Sequence, residues 1–537
     1  MQQTFDFVIV GAGSAGAVLA SKLSENSQYR VLLIEAGPVD NNSLIDIPRG
    51  FGKLHSDRRF MWSYQTEPET GTGGRAETWL RGKTLGGSSA VNGMVYVRGQ
   101  PEDYDAMGLP DWNWSTMSNY FRRLENHSLG DDGIRGVGGP LTLRRHPAPS
   151  PVHEAVITGC TEIGLPRLDD MNGASQEGVG YFSHNINAGR RISASRAFLR
   201  PAMQRPNLTV MTDTLVEKVV FEGRRAVAVR CRRNGSVETI RAAREIVLCA
   251  GALESPKLLQ LSGIGPAAHL RDLGIDVIHD SPHVGGNMRE HRGIMFRQRL
   301  ALPQSASQNY QFHGIRLAAT SLRYLLTRSG VLSWGSHEVG AFFRATEQAT
   351  RPDAEFLMSP FSYQITENGA AIDTFPGLHL MSYVLRPESR GSVMIGSADP
   401  TAAPIVRPAF LTDEYDCRVA IGIYHVMRKL FDQPALRTIV AEELAPGLLQ
   451  SDEEILDVFR RNGVTGYHAV GTCAMGASAD AVLDERLRVR GVDGLRVMDC
   501  SAMPLMISGN TNAPMMAMGW RAADLIIQDQ NPIATGV

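Results

Sequence analysis

The sequence is poor in the features that mark several protein classes. Only six cysteines occur in 537 residues, at Cys160, Cys231, Cys249, Cys417, Cys473 and Cys500, and no two form a CxxC pair. Thiols so widely spread build neither a disulfide framework nor a zinc site, and they read as reduced and mostly buried. No metal site is expected. Neither sign of charge is in excess: 54 Lys and Arg against 56 Asp and Glu leave a formal net charge of −2. That balance excludes nucleic acid as a partner, and short pairs such as Arg58-Arg59 and Arg122-Arg123 belong to solvated surface. No apolar run reaches the ~18 residues of a membrane-spanning helix. The apolar segment Phe5 to Val10 follows the N-terminus so closely that a secretory signal has no room before it. A cytoplasmic location is the expectation. Internal repeats and long linkers are also missing.

What is plentiful is glycine, 54 residues, much of it clustered in short motifs. Clustered glycine points to close approach of backbone to a ligand. The first cluster, Gly11-Ala-Gly13-Ser14-Ala-Gly16, follows the apolar run Phe5–Val10 and leads into the helix-compatible Ala17–Ala20. A second apolar run, Val31–Ile34, ends in Glu35, 19 residues after Gly16. Strand, glycine turn, helix, strand and acid together make a dinucleotide-binding fingerprint. Gly11 allows the tight turn, Gly13 lets a pyrophosphate approach the backbone, and Gly16 lets the helix pack on the strand. The helix N-terminus offers free N–H groups to the phosphates. Glu35 is placed to accept ribose hydroxyls and would repel a 2′-phosphate, which disfavours NADP. FAD and NAD both fit this motif.

The stretch from Arg81 to Gly99 holds Gly86-Gly87-Ser88-Ser89 and Asn92, a backbone nest for an anionic group. It closely resembles the first signature of the glucose-methanol-choline (GMC) oxidoreductase family. Gly251-Ala-Leu-Glu-Ser-Pro-Lys through Gly265 resembles the second signature, and a strand-like run, Ile246–Cys249, precedes it. The resemblance extends from Phe5 to about Ile527 and includes Val284–His291 and Gly494–Asp499. It is shared with choline dehydrogenase-like and aryl-alcohol or hydroxymethylfurfural oxidase-like members. The resemblance implies FAD as cofactor, contacted by Gly11, Gly13, Ser14, Gly16, Glu35, Gly86, Gly87, Asn92, Val216 and Asp499. Some members tether FAD through a histidine of the first signature. Val91 stands there in this chain and has no nucleophile, so noncovalent FAD is expected.

The chemistry implied is oxidation of a primary alcohol, benzylic, furanic or aliphatic, to the aldehyde by hydride transfer to flavin. Such a reaction needs a base for the hydroxyl proton and a donor for the developing alkoxide. Composition cannot choose among 14 histidines. Gly466-Tyr467-His468 resembles the family segment that carries the catalytic histidine, which makes His468 the base. The family's second His or Asn falls at Asn510 in Ser508-Gly-Asn510-Thr-Asn512-Ala-Pro514. Asn510 can steady an alkoxide but cannot hold a second proton; as an alternative it caps the helix that follows. Tyr467 reads as an aromatic pocket wall, Cys473 and Met475 as packing, and His291 as structural support.

The fold class implied is α/β, α+β overall. A Rossmann-like FAD-binding domain is expected from residues 1–155, 200–300 and 460–537. A discontinuous substrate-binding domain with an antiparallel sheet is expected from 156–199 and 301–459, with strands at Arg390–Ile395 and around Leu378–Leu380. Segment 301–350 carries no motif and reads as a possible lining of the entrance. The acceptor is open between O2, giving H2O2, and a quinone or other acceptor of a dehydrogenase. A non-redox reading, a hydroxynitrile lyase-like enzyme, also shares the fold.

Overall fold

The computed structural model describes residues 4–146, 150–366 and 369–530. The outermost parts of the expected domain segments, 1–3 and 531–537, lie outside the described residues. Two sheets organise the chain. The first has seven strands in the order Leu208–Met211, Val31–Ile34, Thr4–Val10, Ser236–Leu248, Arg225–Arg233 and Thr214–Glu222, with Leu495–Val497 also pairing Ser236–Leu248. Its centre is parallel, because Thr4–Val10 runs with Val31–Ile34 on one side and with Ser236–Leu248 on the other. Phe7, Val8 and Ile9 are fully buried, as a strand covered on both faces requires. Ser236–Leu248 is long enough to serve three neighbours. Its first half closes an antiparallel meander with Arg225–Arg233, and its last three residues run beside Leu495–Val497.

The fingerprint forms as the sequence predicts. Thr4–Val10 leads into helix Ser14–Leu23 through Gly11, whose φ of +101° lies in the left-handed region. A Cβ on Gly16 would lie 2.0 Å from the Gly11 carbonyl oxygen, and one on Gly11 would lie 2.4 Å from the Cys249 carbonyl oxygen. Helix, strand and the neighbouring strand end therefore touch backbone to backbone. The C-terminal helix Asn512–Gln530 lies against Ser14–Leu23, and Gly519 faces Ala15 where a Cβ would sit 3.1 Å from the Ala15 Cα.

The second sheet has eight strands: Val440–Ala445, Arg292–Leu300, Gly377–Val384, Ala354–Ser359, Val339–Phe343, Gly178–Tyr181 and Arg167–Leu168, with Val464–Thr465 also on Arg292–Leu300. All of its pairs are antiparallel apart from Arg167–Leu168 with Gly178–Tyr181. Alternation sorts its central residues. Phe296, Leu380 and Met358 sit in one cross-strand row and join a core with Val419, Ile423 and Met427 of helix Glu414–Phe431. Met295, Met381 and Leu357 form the adjacent row and face a cleft on the opposite side. The expected strand at Leu378–Leu380 lies within Gly377–Val384. The one expected at Arg390–Ile395 is shorter, Ser392–Met394, and pairs only with Ile405–Arg407 in a separate ladder. No described helix is long and apolar enough to cross a membrane.

The glycine contacts separate two roles that one motif combines. Gly16→Ala forces a methyl into a carbonyl oxygen and is expected to destabilise the protein by about 3 kcal/mol, the upper range for overpacking. Gly13→Ala meets nothing within 4 Å, so its denaturation midpoint stays near wild type while cofactor retention falls. Chemical denaturation, read with the bound-flavin content of each purified variant, checks both.

Candidate active site

A cleft of about 1600 Å³ runs between the two sheets. One end is bordered by Gly11, Gly13, Ser14, Glu35 and Val216, the middle by Gly87, Asn92, Gly251 and Asp499, and the far end by Tyr467, His468 and Asn510. Gly16 and Gly86, expected at the cofactor, do not border it. They act beneath the surface: Gly16 lets the helix reach the strand, and the Gly86 N–H donates to the Ala12 carbonyl at 2.8 Å. That bond ties the first signature to the fingerprint, and a Cβ on Gly87 would lie 2.7 Å from the Gly13 Cα.

Three buried carboxylates brace the cleft. Glu35 ends its strand and accepts the N–H of Ala12 through one oxygen and that of Gly37 through the other, both at 2.9 Å. Burial raises its pKa to about 7, against the pull of those peptide donors. Each of its oxygens keeps a lone pair for a hydroxyl donor. Asp499, at the border of the cleft, accepts from Gly251 N, Ser255 Oγ, Ser501 N and Ser501 Oγ at 2.5–2.8 Å. Its role is to hold the Gly251 turn, and burial pushes its pKa up. Ser14 Oγ donates to Asn512 Oδ1 at 2.8 Å, joining the first helix to the start of the last. Asn92 Oδ1 accepts from Met94 N and from Arg191, so its amide is fixed in place.

The third carboxylate, Glu290, shapes the far end. Its Oε1 accepts the backbone N–H groups of both His291 and His468 at 2.8 Å, and its Oε2 stands 3.6 Å from Arg81. Gly466, with a Cβ position 2.9 Å from His468 Nδ1, and Tyr467, at φ +63°, turn the chain so that His468 reaches the cleft. A non-glycine residue in that conformation carries strain, which clusters at functional positions. Tyr467 borders the cleft under the Arg81 guanidinium, 5.8 Å from its ring. His468 Nε2 lies 3.1 Å from Asn510 Nδ2, and His468 Nδ1 lies 2.9 Å from His291 Nδ1. Burial first, then the proximity of His291 and Arg81, holds the His468 pKa well below 6.5. Asn510 Oδ1 is buried without a hydrogen-bond partner. The structure thus joins His468 and Asn510, and Asn510 is no mere helix cap. His291, read as general support, is a direct partner of His468. Only its place in the Val284–His291 stretch hinted at this. Glu290 and Arg81 were missed, although both lie within quoted motifs.

Above this pair, Met295, Leu357, Met381 and Tyr383 form an apolar wall. Segment 301–350 supplies Phe312, Leu317, Ser321 and Leu332 to the same cleft, the last three from or beside helix Gly314–Thr327. Behind the wall, His146 Nε2 and His153 Nε2 approach Glu338 Oε2 at 3.0 and 2.9 Å, and Arg49 pairs with the other oxygen of Glu338. These groups form a buried polar cluster around the Arg49–Glu338 ion pair.

The cleft fits FAD on its own geometry. Gly13 and Gly251 present backbone where a Cβ would meet nothing within 4 Å, leaving room for phosphates against peptide N–H groups. Glu35 waits at the end where a ribose would lie. Replacing Glu290 with Ala strands two peptide N–H groups and is expected to cost about 3 kcal/mol, whereas Glu290→Gln keeps the acceptor and costs about 1 kcal/mol. Denaturant unfolding of the two variants checks this order.

The comparisons with known proteins agree with this geometry. A family model described as GMC oxidoreductase matches residues 5–292, and a second of the same description matches 387–519. The chain is 38% identical over 535 residues to an oxygen-dependent choline dehydrogenase of Sinorhizobium fredii, covering 98% of this chain and 96% of the relative. Among solved structures, pyridoxine 4-oxidase from Mesorbium loti superposes with a TM-score of 0.87 at 34% identity, over 97% of this chain and 98% of that one. A fungal aryl-alcohol oxidase, at 23% identity and a TM-score of 0.84 over 99% of this chain and all of that one, shares the fold. The chain belongs to the GMC oxidoreductase family, FAD enzymes that act on CH–OH donors.

Proposed function

We propose that the protein oxidises a neutral, aromatic primary alcohol, benzylic or furanic, to the aldehyde, with O2 as acceptor and H2O2 as second product. The observation that carries this reading is the His468–Asn510 pair, 3.1 Å apart, on the floor of a cleft walled by Met295, Leu357, Met381 and Tyr383. Among the described residues, the acidic ones bordering the cleft are Glu35, Glu254 and Asp499. Glu35 belongs to the cofactor end, Asp499 is engaged by Gly251, Ser255 and Ser501, and Glu254 by Tyr64 and Lys257. Among the described residues no carboxylate borders the substrate end, and Glu355, behind Tyr383, is engaged by the Tyr383 hydroxyl, which argues against a quaternary ammonium such as choline despite the name of the relatives. Reaction with O2 draws support from relatives whose names describe an oxygen-dependent dehydrogenase and an oxidase.

The chain's part in the reaction is proton handling. His468, neutral at rest, takes the hydroxyl proton at Nε2, breaking the alcohol O–H bond and leaving its electron pair on oxygen. Asn510 Nδ2 carries two hydrogens, so one can hold the developing alkoxide. The chemistry that FAD supplies when bound is acceptance of the carbinol hydride. Gly11, Gly13, Ser14, Glu35, Gly87, Asn92 and Val216 would hold it, noncovalently, since Val91 offers no nucleophile. The apolar wall excludes water, which strengthens the polar contacts at the reacting oxygen.

The test is anaerobic mixing of the yellow holoenzyme with a panel of primary alcohols, followed by air. Bleaching by a benzylic or furanic alcohol, with rapid recovery and peroxide, is the expected outcome. Slow recovery in air points to another acceptor. No bleaching by any alcohol overturns the oxidation reading in favour of the lyase-like one. His468→Ala is expected to slow bleaching by about 10³-fold, and Asn510→Ala by about 10²-fold. Because the base must be unprotonated and its pKa lies below 6.5, the reduction rate stays level from pH 8 to 6.5 and falls only at lower pH. Stopped-flow spectra across that range check the sign. Acid precipitation is expected to release all flavin into the supernatant.

A further inference from the structure

A histidine can act as base only through a nitrogen that carries a lone pair, so the tautomer of His468 decides whether the site works. Hydrogen-bond distances in the structure determine that tautomer. His291 Nε2 lies 2.8 Å from the backbone carbonyl oxygen of Leu385. A carbonyl oxygen only accepts, so His291 Nε2 bears a proton. Burial keeps His291 neutral, with a pKa of about 4, so its single ring proton is the one on Nε2 and its Nδ1 is a lone pair. Facing that lone pair at 2.9 Å is His468 Nδ1; two lone pairs cannot share such a contact, so His468 Nδ1 brings the proton. His468 Nε2 then carries the lone pair, on the side of the cleft.

The same chain of donors and acceptors orients Asn510. Its amide stands 3.1 Å from His468 Nε2, and a lone pair there demands an N–H, so Nδ2 faces the histidine. The unpartnered Oδ1 points elsewhere. The end of the chain is rigid as well. His291 is fully buried and stacked on Tyr383 with ring centroids 4.6 Å apart. The Tyr383 hydroxyl donates to Glu355 at 2.6 Å, and the Leu385 peptide N–H donates to the Asp353 carbonyl at 2.9 Å.

We propose that His291 is a positioning residue of the reaction: anchored on the Leu385 carbonyl, it holds His468 in the Nδ1–H tautomer whose Nε2 takes the substrate's hydroxyl proton. This rests on the reading of His468 as base. When the alcohol O–H bond breaks and the Nε2–H bond forms, His468 becomes an imidazolium and its Nδ1–H bond to His291 becomes charge-assisted. The bond is stronger after proton transfer than before it, so it raises the rate of the step more than the affinity for alcohol.

The first measurement is the tautomer itself, by nitrogen NMR of 15N-histidine-labelled holoenzyme at neutral pH, with His468→Ala identifying the resonance. A protonated Nδ1 and bare Nε2 on His468 are expected; a resting Nε2–H tautomer overturns the proposal. The second is anaerobic flavin reduction by His291→Ala and His291→Asn. Asn keeps an acceptor near the Nδ1 position and is expected to lose no more than about 10-fold, whereas Ala loses about 10²-fold, with the alcohol dissociation constant changed by less than about threefold. Equal rates in Ala and wild type overturn it, as does a loss confined to alcohol affinity. If the Ala protein does not retain flavin, the Asn protein decides: reduction within that range with the Nδ1–H tautomer kept supports the role, and a greater loss with the tautomer unchanged overturns it. His468→Ala separates the two readings. Wild-type reduction in His468→Ala removes the base assignment and leaves the tautomer result standing. An inactive His468→Ala beside an unimpaired His291→Ala removes the positioning role alone.

Discussion

Three backbone contacts with no room for a Cβ hold the cofactor half of the molecule together. Gly16 touches the Gly11 carbonyl, Gly11 touches the Cys249 carbonyl, and Gly87 touches the Gly13 backbone. Each contact joins a different part of the chain: helix to strand, strand to strand, and first signature to fingerprint. Interiors are close-packed and transmit displacement, so a methyl at any of these points moves whole elements apart. Peptide N–H groups then lose the common surface they present to the cleft. Glycine is required there because backbone must meet backbone. Gly13 is different, since the space it leaves open belongs to the ligand.

Along that surface, burial of charge is managed in one way. Glu35, Asp499 and Glu290 are each buried and each accept peptide N–H groups. Unpaired, a buried carboxylate is prohibitively costly. Bound to peptide donors, it organises turns whose own N–H groups would otherwise lack partners. Asp499 orders the second signature's turn and Glu290 the pair of segments that bring His291 to His468. The cofactor end of the cleft is thus polar and ordered by backbone. The substrate end has an apolar wall of two methionines, a leucine and a tyrosine, facing the histidine and the amide at its floor. That division suits a dinucleotide beside a neutral alcohol.

Much of this was legible in the sequence where structure is local. The strand, glycine turn, helix and acid over residues 4–35 lie within one short stretch of chain, so their order and spacing convey them. His468 and Asn510, 42 residues apart, were legible through the motifs around them. The alternation of the eight-stranded sheet was not. Phe296, Leu380 and Met358 on one face and Met295, Met381 and Leu357 on the other are all apolar, and hydrophobicity cannot tell a core row from a pocket row. Segment 301–350 showed no motif because its contribution is surface shape at the cleft, made by scattered side chains.

The sequence by itself determined the nucleotide-binding fold, through backbone requirements at fixed short spacing, and the family, through its two signatures; it offered His468 and Asn510 as candidates by their resemblance to family motifs. Only the tertiary structure decided that Gly16 and Gly86 lie beneath the cleft, that Asp499 braces the Gly251 turn, and that His291 meets His468. Those roles are set by which donor meets which acceptor across intervals of up to 248 residues. Hydrogen bonding is directional and nonlocal in the chain, and a residue's type does not reveal who its partner is.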